Sequence, residues 1–89
     1  MIHEQYTIIR NLIWENKITT FQELYLAVPL HELSRDTHIS EAQLREWFTD
    51  IGSVSVEDVK QLSELLEIPE YRMMRIIVAT QRLQSSQLN

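Results

Sequence analysis

Eighty-nine residues, 44% hydrophobic and 24% charged, fit one soluble globular domain and exclude most multi-domain readings. The absence of cysteine rules out disulfides, thiolate nucleophiles and sulfur-bound zinc. A formal charge of −5 argues against general affinity for nucleic acid or an anionic membrane, and one glycine with two prolines leaves little room for the turns of a β-sandwich.

The start, Met-Ile-His-Glu-Gln-Tyr, has no basic region ahead of a long apolar run, so no targeting signal is expected. The longest apolar stretches, Ile76–Ala79 and (counting its proline) Tyr25–Leu30, fall far short of the roughly 20 residues a membrane span needs. A cytoplasmic, bacterial protein is the expectation. A chain of this length buries only about 60–65% of its unfolded surface, so the core is small.

The punctuation predicts six helical pieces, or five if the second and third merge around Pro29. The first covers roughly 4–16, with Tyr6, Ile9, Leu12 and Ile13 on one face and Trp14 off it. Thr20-Phe-Gln-Glu23 has the form of a capping box and opens the second, whose stripe is Phe21, Leu24, Tyr25 and Val28. Pro29 either ends that helix or opens the next. The third is short, about 30–37, with Leu30 and Leu33 inward, and a tight turn follows at Thr37-His38-Ile39.

Ser40-Glu-Ala-Gln43 is a second box, heading a fourth helix over about 41–49. Leu44 and Phe48 form a core pair there. Adjacent Trp47 is then either partly exposed or a bridge between two helices. Asp50 to Val54 is a loop holding Gly52. Ser55 caps the fifth segment, about 56–67, with Val56, Val59, Leu62 and Leu66 on one side. Pro69 stops it. The last helix starts near Glu70 with the stripe Tyr71, Met74, Ile77 and Val78, and the polar stretch 84–89 reads as a frayed tail. The expectation is an all-α bundle, one domain over 1–83, with a core of Ile9, Ile13, Phe21, Leu24, Leu33, Leu44, Phe48, Val59, Leu62, Leu66 and Ile77.

A short helix, a tight turn and Ile39-Ser40 opening a second helix make the layout of a helix-turn-helix at about 30–50. The run from Leu30 to Phe48, followed by Ser55–Pro69, resembles the XRE, or lambda-repressor-like, domains over residues 30–68. A second resemblance, carried by Tyr6-Thr-Ile-Ile-Arg-Asn-Leu-Ile, Ile18-Thr-Thr-Phe-Gln-Glu-Leu and Val28-Pro29, is to a group of small uncharacterised bacterial proteins with the same downstream layout. The first resemblance implies a lambda-repressor-like fold and a DNA-binding transcriptional regulator, dimeric, with helix 41–49 in the major groove. Gln43, Arg45, Glu46 and Thr49 are then the base-contacting positions, or else a solvated helix face with Glu41–Arg45 as an i,i+4 pair, and Arg35 is a phosphate or partner contact.

Two features depart from that pattern. His38 stands where the turn usually has glycine, and a left-handed residue there costs about 1 kcal/mol. From Pro29 to Asp50, five acids face two bases, leaving −3. DNA affinity rests largely on neutralising phosphates. The charge therefore favours an alternative of another class, an acidic protein-interaction module that keeps the scaffold without the DNA chemistry.

Arg72, Arg75 and Arg82 are spaced to share one face of the last helix and form the chain's one basic stripe, available to phosphate or to a protein partner. Met73, Met74, Ile76 and Ile77 are too crowded to face one small core together, which makes them the expected dimer face. His3, His31 and His38 lack metal-binding spacing. Ser40 and Ser55 are accounted for as caps, and no serine sits in a glycine-rich elbow. No catalytic residue, cofactor, metal or small-molecule substrate is expected.

Overall fold

Three hydroxyl caps and two prolines cut the chain into helices. The computed structural model describes residues 4–87, and within them every regular element is helical. His3, Leu88 and Asn89 lie outside the described residues. The order is α1 (Glu4–Trp14), α2 (Phe21–Ala27), α3 (Leu30–Thr37), α4 (Glu41–Trp47), a single 3-10 turn (Ile51–Ser53), α5 (Val56–Leu66) and α6 (Glu70–Gln87). None of these helices is long and apolar enough to cross a membrane.

Thr20, Ser40 and Ser55 each take extended backbone and accept from the amide three residues on, satisfying a donor that a helix start leaves open. Only Ser55 completes the reciprocal box, with Asp58 accepting from its amide at 3.0 Å. Glu23 reaches one residue further back, to the amide and hydroxyl of Thr19 at 2.6 and 2.8 Å. These bonds to the charged form hold its carboxyl below the usual range. Val28 is extended and Pro29 caps α3, so α2 and α3 are separate helices and the count is six.

The single glycine, Gly52, does not take a left-handed conformation. Asn16, His38 and Glu67 do, each beyond a helix end, at φ between 54° and 66°. That is the backbone glycine would adopt without a Cβ penalty.

α6 runs across the molecule and packs on α5, α2 and the 3-10 turn, while α5 packs on α1 and α3. The core is Tyr6, Ile9 and Ile13 of α1, Phe21 and Leu24 of α2, Leu33, Leu44 and Trp47, with Val59, Leu62, Leu66, Met73, Ile76 and Ile77 from the last two helices. Thr80 is buried with them. Its hydroxyl accepts from the Phe21 amide at 3.0 Å and donates to the Ile76 carbonyl at 2.8 Å.

Three expectations about packing are corrected. Phe48 is not a core residue: it lies 48% exposed, stacked on Tyr25, while Trp47 takes the bridging place, its indole fully buried 5.9 Å from Phe21. Val56 sits in the first turn of α5 and points outward, off the stripe formed by Val59, Leu62 and Leu66. The buried stripe of α6 is Met73, Ile76, Ile77 and Thr80, so Tyr71, Met74 and Val78 face out. α6 also continues past residue 84. Gln84 is no part of a frayed tail: its amide donates to the carbonyls of Trp47 and Phe48 at 2.9 and 3.2 Å, and its oxygen accepts from the Ile51 amide at 2.9 Å.

Candidate functional site

The segment α3–turn–α4 is the part of the sequence that pointed to a function. Thr37 builds the turn. Its hydroxyl donates to the Leu33 carbonyl at 2.5 Å and accepts from the Ile39 amide at 3.2 Å. His38 then reverses the chain at φ 66°, ψ 18°, in the left-handed region that glycine adopts most freely. Leu44 and Trp47 anchor α4 inward, and the Tyr25 hydroxyl donates to the Leu44 carbonyl at 2.7 Å. Burial pushes that phenol upward, so it remains a protonated donor across the physiological range.

On the outer side of α4, Arg45 and Glu46 are exposed and Gln43 is half-buried; Thr49 is exposed as well, but in the turn beyond Trp47, where the helix expected to reach 49 has already ended. Each of the four is engaged locally. Arg45 pairs with Glu41 at 3.4 Å, and the Gln43 amide donates to Glu46 at 3.4 Å. The Thr49 hydroxyl donates to the Glu46 carbonyl at 3.2 Å. Arg35 is held by the neighbouring carboxylate of Asp36 at 3.0 Å, whose hydrogen bond and charge raise its pKa. Asp36 also accepts from the Tyr6 hydroxyl at 2.5 Å. Burial and this carboxylate push the Tyr6 phenol upward.

A shallow hollow at the start of α4 is lined by His38, Ser40 and Gln43 on one side and by Glu57, Asp58 and Gln61 of α5 on the other. Glu57 and Asp58 thus add two carboxylates beside the start of α4.

The basic stripe of α6 divides in two. Arg72 is only 7% exposed. Its Nη2 donates to the Ile13 carbonyl at 2.8 Å, and its guanidinium lies 4.5 Å from the centre of the Trp14 ring. It closes the C-terminal end of α1, where a cation is favoured, and is out of reach of a phosphate or a partner. Arg75 and Arg82 are exposed. The expected dimer face fails for a similar reason: Met73, Ile76 and Ile77 are core, and Met74 alone of the four is outside.

Sequence reasoning missed Thr80 and Gln84. Thr80 carried a signal, standing three and four residues after Ile77 and Ile76 on the inner face. Gln84 carried none, because its partners are backbone atoms of a distant loop. Among the described residues no three carboxylate or imidazole side chains gather in a way that could hold a metal ion. Comparison with protein-family models, with curated proteins and with solved structures finds no match.

Proposed function

We propose that this protein works through protein contacts and uses the helix-turn-helix layout as a scaffold rather than as a reader of duplex DNA. One observation carries the reading: both arginines of the motif are already paired with carboxylates of their own helices, in a segment whose charge sums to −3. An exposed i,i+4 pair such as Glu41–Arg45 is worth only about 0.3–0.5 kcal/mol, so the pair itself is easily broken. The surplus of acid around it is the obstacle.

The test is fluorescence anisotropy of a labelled random duplex at about 20 mM and about 150 mM salt, with protein raised to about 100 μM, because non-specific DNA affinity normally lies near 10⁻⁴–10⁻⁶ M. The expected result is no binding at either salt. Binding that weakens steeply with salt would overturn the reading.

A second reading is a dimeric DNA-binding regulator. It is favoured by the left-handed turn at His38 and the capped α4, with Gln43, Arg45 and Glu46 along its outer side and Thr49 in the turn beyond it. Amide, guanidinium and carboxylate groups there match adenine, guanine and cytosine edges in a major groove. Under that reading Arg45→Ala weakens binding and relaxes its sequence preference.

A further inference from the structure

The outward face of α6 is the most apolar exposed helix face among the described residues. Tyr71, Met74 and Val78 are 60%, 45% and 39% exposed and follow one another in steps of three and four. Val56 extends the patch sideways, since it and Met74 border the same hollow of about 180 Å³ with Val54 and Val59. Other exposed aromatic rings have cover: Trp14 lies under Arg72 and Phe48 on Tyr25. The α6 stripe has none. Contiguous exposed apolar surface of this kind marks a contact site.

We propose that this face joins two copies of the chain, with the two α6 helices side by side and parallel. The flanking charges choose the occupant and the direction. Tyr71, Met74 and Val78 occupy the a, d and a positions of a heptad seam, which puts Glu70 at g and Arg75 at the next e. In a parallel pair each g residue faces the following e residue of the other helix. Glu70 of each copy then meets Arg75 of the other, twice by symmetry. Neither residue has an ion-pair partner among the described residues. An antiparallel pair would return each flank to itself and set Arg75 and Arg82 against the same arginines of the second copy. Like charges so opposed are unfavourable. The inference goes beyond the proposed function and does not depend on it: the duplex titration reads the α4 side, and the experiment below reads α6.

The experiment is sedimentation equilibrium of the full chain from about 5 to about 500 μM, a range suited to the small seam. The expected mass rises from 10.6 kDa towards twice that value. Met74→Glu and Val78→Glu are expected to hold the protein at monomer mass with an unchanged circular dichroism spectrum. Arg75→Glu and Glu70→Arg each weaken the dimer at least tenfold, and the double variant recovers most of the loss. Because the chain has no cysteine, Val78→Cys gives a clean register probe. A parallel seam brings the two thiols within disulfide reach, so mild oxidation links the copies far faster than in a Gln61→Cys control. A monomer throughout the range overturns the proposal and leaves the face to a different partner. A dimer that survives both glutamate variants, or a Val78→Cys chain that links no faster than the control, overturns it as well.

Discussion

The outer side of α4 and the outer side of α6 face solvent in opposite ways. On α4 the large apolar groups Leu44 and Trp47 are fully buried, and the exposed polar groups are satisfied by neighbours on the same helix. On α6 both sides are apolar. One side is in the core, the other carries Tyr71, Met74 and Val78 in the open, and Glu70 and Arg75 beside them are unpaired among the described residues. On α4 the pairs are weak and it is the surplus of acid around them that sets the surface's character. A surface with open apolar area and open charge has a contact still to make. Of the two surfaces, that of α6 is the more open.

The largest effect that tests this contrast lies under α4. Trp47→Ala should cost about 3–5 kcal/mol in chemical denaturation, because it empties a fully buried site against Phe21. Phe48→Ala should cost about 1 kcal/mol, the scale of a half-exposed stacked ring. Equal costs would mean that α4 is held differently from this account.

The arginines of α6 come next. Arg72→Ala should lose about 2–3 kcal/mol with little dependence on salt, since a buried charged hydrogen bond and the cover of Trp14 go together. Arg75→Ala should leave monomer stability within about 0.5 kcal/mol, as exposed substitutions away from packing usually do. Gln84→Ala links the two regions, and its loss should cost about 1–2 kcal/mol while the Ile51 amide loses protection from hydrogen exchange.

His38→Gly should raise stability by about 0.5–1 kcal/mol, read as a melting temperature a few degrees higher, because the left-handed turn no longer carries a Cβ. The smallest effect is at the start of α2. The Glu23 carboxyl is depressed in the folded chain, so what it contributes is complete above its unfolded pKa and fades as pH falls through the lower folded value. Glu23→Gln should flatten that acid limb of the stability curve: its small cost appears at neutral pH and vanishes in acid, where the protonated carboxyl is already uncharged like the amide.

Much of the architecture was legible because helix ends are local events. Thr20, Ser40, Ser55, Pro29 and Pro69 bound the segments by chemistry within three or four residues. The phase of α6 was not legible. Tyr71-Met74-Ile77-Val78 and Met73-Ile76-Ile77-Thr80 are both good helical stripes. What separates them is the burial of Arg72 against α1 and of Thr80 against α2, which no local rule contains. Trp47 takes the bridging place against α2, and Phe48 leaves the core because one step on a helix turns a side chain by 100°. For the site, spacing marked the exposed positions of α4. The four-residue step from Glu41 to Arg45 also carried their ion pair, which the structure forms at 3.4 Å.

The hydroxyl of Thr80 also sets an order in time. The buried Phe21 amide finds its partner only there, 59 residues further along, and Arg72 closes α1 across the same separation. The first two helices therefore cannot finish their hydrogen bonding until the last one is in place. Local helix formation comes early and cheaply, but the closing step must gather both ends of the chain at once. A chain cut after α5 would keep its turn and its caps, yet leave the starts of its own core waiting for a helix that never arrives.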